Sequence, residues 1–348
     1  MNTRSRTPRC RRLGLSVGVL ILGGACADPT LGIEIEGQRV PVIDMHIHTG
    51  EWGSIPESAR ELIAGNLPFP FNTDPEGVAE RVLSADGIAD ELDAAGISRA
   101  GLLAVYAPRS TGVASNEFVA QTVAERPDRF HGLASLRVED WGTEEAAQLA
   151  QLEEALDRPE MIGIKLAHAH QHFRMDDPAY FSIYEVAERR GAPMYLHTGT
   201  SPFPGTTAEA PYTDPAYLED AIAAHPGAIF ILGHLGHDIE DTELRATDRC
   251  IDLAQHYDNV YLEASVIGSE SSDPTGDKLA EAMKRIRDAG LVDRVVYGSD
   301  GAQSPGFVGR YVEGTVEAMQ RSGYTVDEMS MVLSGNFVRV FGVQAPTL

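Results

Sequence analysis

The 348-residue chain has only three cysteines, few basic residues relative to acidic ones, and no apolar run long enough to cross a bilayer. Its 28 basic and 52 acidic residues give a formal charge of -24, which argues against nucleic acid and anionic membrane surfaces as partners. If Cys10 is removed with a leader and Cys26 is acylated, Cys250 alone remains, so an internal disulfide is excluded. The fold must therefore be held by its apolar core, and we expect a small-molecule substrate.

The N-terminus has the pattern of a targeting segment. A basic stretch precedes the apolar run Leu13–Leu22, which is too short for a spanning helix and is typical of a signal peptide. Small residues then lead to Cys26, as in a bacterial lipoprotein cleavage site. We therefore expect residues 1–26 to be a lipoprotein-type signal peptide and 27–39 a linker. The protein would then be exported to the periplasm or cell surface and held at the membrane by a lipid on Cys26. Simple secretion without a lipid is the alternative.

From residue 40 onward, short apolar β-branched runs alternate with helix-period segments and recur roughly every thirty residues, the length of a βα unit. The eight runs are Val40–Asp44, Arg99–Tyr106, Phe130–Leu136, Met161–Leu166, Pro193–His197, Ala228–Gly233, Val260–Ser265 and Arg294–Gly298. This alternation predicts one α/β domain, a parallel (β/α)8 TIM barrel over residues 40–348. An open doubly wound sheet is the alternative, but no G-x-G-x-x-G follows the first run.

One interval is longer than an ordinary βα loop. It covers Thr49–Pro75 and is rich in glycine, proline and phenylalanine. In a barrel it would overhang the face where active sites lie, so it is a candidate lid. Its aromatic residues Trp52, Phe69 and Phe71 would then face the substrate, or alternatively pack the loop onto the barrel rim.

Polar side chains end five of the eight predicted strands. In chain order they are His46, His48, Lys165, His197, His234 and Asp300. His46 and His48 point to the same side because side chains alternate faces along a strand. In a closed barrel these strand ends converge on one axis, and the eighth strand lies beside the first. Imidazole and carboxylate groups are common metal ligands, so the pattern predicts a metal site.

The same motifs resemble the amidohydrolase superfamily, and most closely its amidohydrolase-related branch of metal-dependent TIM-barrel hydrolases and aromatic-acid decarboxylases. The motifs are Asp44-Met45-His46-Ile47-His48, Gly163-Ile164-Lys165-Leu166, Leu196-His197-Thr198-Gly199, His225-Pro226, Leu232-Gly233-His234-Leu235-Gly236, Tyr297-Gly298-Ser299-Asp300, and Leu333-Ser334-Gly335-Asn336-Phe337 with Phe341-Gly342. They extend over about residues 40–343. The resemblance implies a barrel with one divalent ion, usually zinc, and allows a homodimer.

The resemblance also implies roles for individual residues. The metal ligands would be His46, His48, His197 and Asp300. Asp300 would in addition serve as the general base for a metal-activated water. His234 would be the catalytic histidine that polarises the substrate or positions that water.

Lys165 has three interpretations. As an unmodified residue it would bind a substrate carboxylate, whereas in binuclear relatives a carboxylated lysine bridges two metals and His234 becomes a ligand. A structural lysine paired with a buried carboxylate is the third. Beyond it, His168 and His170 alternate as on a continued strand edge, and we assign them, with Trp52, to the substrate pocket rather than to the metal.

These inferences predict a metal-dependent hydrolase that attacks an amide, lactone or ester carbonyl. The alternative reaction on the same ligands is nonoxidative decarboxylation of an aromatic or enol acid. An exported binding lipoprotein on a degenerate barrel is a third hypothesis. It is disfavoured because the full ligand set and His234 are present.

Overall fold

The computed structural model describes residues 31–238, 241, 243–269, 272–301 and 303–348. The segment predicted to be a signal peptide, with Cys26, lies outside the described residues. Within the described part of the chain, no helix has the length and apolar character needed to cross a membrane.

Eleven strands are described, and seven of them form one parallel sheet. The strands are β1 (Ile33–Ile35), β2 (Gln38–Val40), β3 (Ile43–His48), β4 (Arg99–Leu103), β5 (Val105–Ala107), β6 (Gly112–Ala114), β7 (Phe130–Ala134), β8 (Met161–Leu166), β9 (Met194–His197), β10 (Phe230–Gly233) and β11 (Val260–Leu262). The sheet order is β11-β10-β9-β8-β7-β4-β3, while β1 with β2 and β5 with β6 form antiparallel hairpins. The first hairpin occupies much of the predicted linker.

The predicted eighth strand is not a regular strand, which corrects the expectation of eight equivalent strands. Its residues nevertheless bond both edges of the sheet: the Val296 N–H donates to the Leu262 carbonyl at 2.9 Å, and the Met45 N–H donates to the Tyr297 carbonyl at 3.0 Å. The Tyr297 N–H instead donates to the Val332 carbonyl, 3.1 Å away near the C-terminus. Because that donor is diverted, the segment joins β11 to β3 without a complete ladder of its own.

Helices alternate with the strands of the parallel sheet along the chain. They are α1 (Glu57–Asn66), α2 (Pro75–Val82), α3 (Ala85–Ala94), α4 (Asn116–Glu125), α5 (Trp141–Leu156), α6 (His168–Gln171), α7 (Phe181–Arg190), α8 (Ala210–Thr213), α9 (Glu219–Ala224), α10 (Arg245–His256), α11 (Asp277–Asp288), α12 (Phe307–Arg321), α13 (Val326–Ser330) and α14 (Asn336–Phe341). Side-chain caps account for several starts; Ser115, for example, accepts the Phe118 N–H ahead of α4. The interval predicted to be a lid, residues 49–75, contains helix α1.

Apolar residues cover the two faces of the sheet in separate clusters. The larger cluster joins the strands to the surrounding helices, and Leu102 and Leu232 belong to it. Their chain neighbours Leu103 and Ile231 face the other way. We call this second set the inner-face cluster; it consists of Ile43, Met45, Leu103, Leu133, Tyr195, Ile231, Val296, Phe337, Val340 and Phe341.

A shift in strand pairing places the first histidine on the inner face. The register between β3 and β4 changes between Asp44 and Ile47. Met45 lies in the inner-face cluster, but Ile47, two residues later, packs in the outer one. Strict alternation would have kept both on one side, so the irregularity reverses the faces after Met45 and directs His46 inward.

Candidate metal centre

Three donor atoms from the two ends of the chain meet above the inner face. The Nε2 atoms of His46 and His48 are 3.3 Å apart, and each lies 3.0 Å from Asp300 Oδ1. His46 is fully buried, whereas the side chains of His48 and Asp300 are 34% and 18% exposed. The predicted convergence of the first strand with the end of the eighth segment is therefore present in the geometry.

The triangle has the dimensions that a shared cation needs. Ligand atoms about 2.0–2.1 Å from one ion lie roughly 3.0–3.4 Å from each other. Two lone pairs cannot face each other at 3.0 Å without a proton or a metal ion between them. One potential ligand atom from each of His46, His234 and Asp300 also lies within 4.8 Å of the other two. A divalent metal site is thus consistent with these residues.

Asp300 is held ionised and in place by its neighbours. Burial opposes ionisation, but the charge and hydrogen bond of His46, together with the hydrogen bond of His48, hold the pKa of Asp300 well below its usual range. The Gln303 amide donates to Asp300 Oδ2 at 3.1 Å, so the second carboxylate oxygen is also oriented. Burial lowers the pKa of His48, although Asp300 opposes this shift.

A buried carboxylate that the sequence analysis missed, Glu263, lies behind the histidines. It directly follows β11 and is 0% exposed. Its Oε2 accepts hydrogen bonds from the Tyr195 hydroxyl at 3.1 Å, the His234 N–H at 3.1 Å and the Ser265 hydroxyl at 2.9 Å. Its Oε1 lies 3.8 Å from His46 Nδ1. The signal was available, because an acidic residue ending an apolar run is the feature that identified Asp300.

His234 and His197 contact each other directly. Their Nε2 and Nδ1 atoms are 3.0 Å apart, and burial lowers the pKa of His234 to about 4, so both rings are neutral near pH 7. His197 Nε2 is buried and has no hydrogen-bond partner among the described residues. The structure therefore brings His197 to the cluster through His234, and its role as a ligand stays a prediction.

The backbone is strained where the site residues leave their strands. His234 and Leu235 have φ values of 60° and 50°, and Asp300 has 63°. Non-glycine residues rarely occupy this left-handed region, and they do so mostly where surrounding structure imposes it. Close packing requires glycine at position 298, since a Cβ there would lie 2.4 Å from Glu263 Oε1 and 2.8 Å from the His46 Cβ.

Lys165 is buried beside the cluster. Its Nζ lies 4.1 Å from the centre of the Tyr195 ring, a cation–π contact, and 2% of the residue is exposed. Burial lowers its pKa to about 7, although Asp300 and Glu263 oppose the shift. A buried amine of this kind is suited to pair with an anionic group of a substrate. The assignment of Lys165 to substrate binding stays a prediction.

His168 and His170 have different surroundings, and their assignment to the substrate pocket stays a prediction. They lie on the short helix α6 rather than on a continued strand edge. The Nε2 of His168 faces the Tyr184 hydroxyl at 3.2 Å, and its ring packs against Phe173 in the outer layer. His170 turns to the site, where its ring contacts His197 with centroids 4.8 Å apart and its Nδ1 lies 3.0 Å from Ser110 Oγ.

The aromatic residues of the candidate lid are divided by exposure. Trp52 is 8% exposed, and the Arg60 guanidinium lies 5.8 Å from its ring centre. Phe69 is 81% exposed. Trp52 is thus buried, and its contact with substrate stays a prediction.

Comparison with known proteins gives a consistent family. A family model described as Amidohydrolase matches residues 43–343. A 2-amino-3-carboxymuconate-6-semialdehyde decarboxylase of Dictyostelium discoideum is 34% identical over 82 residues, which are 24% of this chain and 22% of that protein. The chain thus matches about a fifth of that relative's length.

Solved structures share the fold. A probable 2-pyrone-4,6-dicarboxylic acid hydrolase of Acinetobacter baumannii superposes with a TM-score of 0.58 at 16% identity, covering 87% of this chain and 99% of the other. An amidohydrolase of Burkholderia multivorans with bound zinc gives a TM-score of 0.61 at 13% identity, covering 87% and 100%. At these identities the likeness establishes the fold alone.

Proposed function

We propose, from the premise that this chain belongs to the amidohydrolase family, that it is a metal-dependent hydrolase of a small substrate with an amide, lactone or ester carbonyl. The observation that carries the proposal is the position of one oxygen, Asp300 Oδ1, at 3.0 Å from both His46 and His48 Nε2. This arrangement places a carboxylate beside the donor atoms that would hold an ion, where it can accept the proton of an attacking water.

His46, His48 and Asp300 would hold the ion, with His234 or His197 beside them. When bound, a divalent ion such as Zn²⁺ lowers the pKa of a coordinated water toward about 7 and polarises a carbonyl. Asp300 takes up the proton of the attacking water and returns it to the leaving group. Gln303, bonded to the other oxygen, keeps that carboxylate oriented while the proton moves.

His234 would position the attacking water, and Lys165 would orient the substrate. His234 is neutral near pH 7, so a ring nitrogen can accept a hydrogen bond from that water without adding charge to the site. Lys165 would pair with a carboxylate of the substrate, and that contact would raise the pKa of its buried amine above about 7. We therefore expect substrates that carry an acid group next to the reacting carbonyl.

Decarboxylation is the second candidate. The observation that favours it is the Dictyostelium relative, whose name describes a decarboxylase. The same residues suit this reaction, because Lys165 can neutralise the carboxylate and a nearby acid can protonate the carbon that loses CO₂.

One substrate panel separates the two reactions. Metal-stripped protein, reloaded with zinc, is offered amides, lactones, esters and unsaturated carboxylic acids, and both CO₂ and newly formed acid are measured. We expect acid without CO₂, only in the reloaded protein, and about one ion per chain. CO₂ release without hydrolysis would establish the second candidate, and two ions per chain with a modified Lys165 would contradict the single-ion site.

The destination of the protein is a separate proposal. We propose that it is exported and anchored by a lipid on Cys26, given the apolar run and small residues that precede that cysteine. Radiolabelled fatty acid should label the full chain but not Cys26→Ser. A soluble, unlabelled exported protein would favour simple secretion.

A further inference from the structure

One buried hydroxyl contacts both of the histidines that the site uses in different ways. Ser265 Oγ lies 2.8 Å from His234 Nδ1 and 3.3 Å from His46 Nδ1. The same oxygen lies 2.9 Å from Glu263 Oε2, and Ser265 is 0% exposed. Both imidazoles therefore share one oxygen on the side of the ring that faces away from Asp300.

The direction of these hydrogen bonds follows from the partners of Glu263. Both carboxylate oxygens of Glu263 face donors: Oε1 accepts the Ser265 N–H at 3.0 Å, and Oε2 accepts the His234 N–H and the Tyr195 hydroxyl, each at 3.1 Å. The Ser265 hydroxyl, 2.9 Å from Oε2, therefore donates its proton to Glu263 as well. The hydroxyl oxygen then offers the two rings only lone pairs, and each ring must carry its proton on Nδ1.

The Tyr195 hydroxyl extends the same logic. It donates to Glu263 Oε2 at 3.1 Å, so the lone pairs of the phenol oxygen, not its proton, face His234 Nε2 at 3.3 Å. His234 Nε2 therefore receives no proton from Tyr195. Its lone pair instead accepts from His197 Nδ1, which lies 3.0 Å away, whereas His46 Nε2 lies 3.0 Å from Asp300 Oδ1.

We propose that Ser265, oriented by Glu263, is a positioning residue that fixes both His46 and His234 as tautomers protonated at Nδ1. One hydroxyl thereby keeps the protons of a metal-binding histidine and of the catalytic histidine on Nδ1, so that Nε2 of each ring presents a lone pair. Partners of this kind set which ring nitrogen is available. Only the catalytic label of His234 rests on the proposed function; the tautomers do not.

The backbone next to Ser265 also indicates that the surrounding structure holds this residue in place. Val266, the next residue, has a φ of 71°, which is a true outlier for a β-branched side chain. The Ser265 N–H donates to Glu263 Oε1 at 3.0 Å, so both the backbone and the side chain of Ser265 are bound to one carboxylate. The surrounding structure thus overrides local preference to hold this hydroxyl.

Ring-nitrogen NMR on the full chain tests the proposal. Metal-free protein with ¹⁵N-labelled histidine rings is recorded near pH 9, where neutral rings report their tautomer, and signals are assigned by His46→Gln and His234→Gln. We expect both rings protonated at Nδ1 in the native protein and in Ser265→Thr. In Ser265→Ala both should shift toward the Nε2-protonated form, with zinc affinity reduced about 10- to 100-fold.

Two further variants guard the interpretation. Thr315→Val removes a buried hydroxyl that bonds only its own helix, at the Tyr311 carbonyl, and should leave both spectra and zinc affinity unchanged. Glu263→Gln puts an amide donor opposite Ser265 Oγ, so the serine proton can turn to a ring and at least one tautomer should invert. This second variant serves if Ser265→Ala does not fold.

Either of two results would overturn the proposal. One is a native spectrum with both rings protonated at Nε2, and the other is a folded Ser265→Ala protein with unchanged tautomers and zinc affinity. These measurements contain no substrate, so a failed substrate panel would leave them valid. Conversely, inverted tautomers would not decide between hydrolysis and decarboxylation.

Discussion

The inner-face cluster and the metal centre occupy the same face of the same strands, yet they are built on opposite rules. In the cluster, Met45 and Phe337 are fully buried among apolar neighbours. In the metal centre, His46 and Glu263 are equally buried but polar, and residues leave their strands with positive φ. Tyr195 separates the two regions, since its ring belongs to the cluster and its hydroxyl bonds Glu263.

The comparison shows how a buried polar site is supported. Burying charged groups is costly unless each has partners, and strained backbone persists only where neighbouring structure determines it. The inner-face cluster contributes that support through apolar burial alone. We therefore expect changes in the metal centre to alter metal binding and turnover, and changes in the cluster to alter stability.

The largest expected effect comes from removing a donor atom of the metal centre. His46→Ala should abolish stoichiometric zinc binding and lower kcat/KM by about 10⁴-fold or more, because the ion and the base would no longer be aligned. Metal analysis and turnover on the best panel substrate measure this. His256→Ala is the matched control, since His256 is exposed and bonds the Asp252 carbonyl of its own helix. Retained zinc and activity in His46→Ala would refute the assigned site.

The next largest effect is the loss of stability expected from a change in the inner-face cluster. Phe337→Ala removes a fully buried ring whose centroid is 4.4 Å from that of Phe341. We expect the free energy of unfolding to fall by about 3–5 kcal/mol. Denaturant titration measures this, with Phe337→Leu as the control that should lose less. The folded Phe337→Ala protein should still bind zinc; loss of zinc without loss of stability would show that the regions are not separable.

A smaller effect concerns His168, the buried histidine of helix α6 that contacts Tyr184. Burial lowers the pKa of His168 to about 3, against about 6.5 when exposed, so the unfolded chain binds the extra proton between these values. Its stabilising effect is therefore complete above pH 6.5 and decreases as the pH falls, by about 2 kcal/mol at pH 5. Between pH 7 and 5, His168→Gln should lose less stability than the native protein. Equal losses would contradict the buried, neutral ring.

The smallest effect is expected at an exposed side chain of the candidate lid. Phe69 is 81% exposed, so Phe69→Ser should change the free energy of unfolding by less than about 0.5 kcal/mol. Denaturant titration measures this beside Phe71→Ser, whose ring is partly buried and should cost more. A loss above 1 kcal/mol in Phe69→Ser would mean that this ring is packed against a surface.

The strands and their polar ends could be predicted because both signals are local. Six of the eight predicted runs contain a strand of the parallel sheet, and the first run overlaps the start of β3. His46 and His48 do share a side, as alternation requires, with Nε2 atoms 3.3 Å apart. The eighth run failed as a strand because the Tyr297 N–H bonds Val332, a partner far along the chain.

The supporting residues of the site could not be predicted in the same way. Glu263 and Ser265 support the site through contacts with side chains from other strands. Alternation along one strand does not predict such contacts. His168 and His170 are the same residue type two positions apart, yet in helix α6 one contacts Tyr184 and the other contacts His197. A two-residue period cannot anticipate that difference.

The sequence by itself determined the alternation of strands and helices and the polar residues that end the strands, because hydrophobic periodicity and strand-end position are read along the chain. The tertiary structure decided which donor atoms meet. The register shift in β3, the irregular segment beside it and the buried Glu263 depend on contacts between residues far apart in the chain. Those contacts turn His46 inward, place Asp300 beside it, and set which nitrogen of each ring is free.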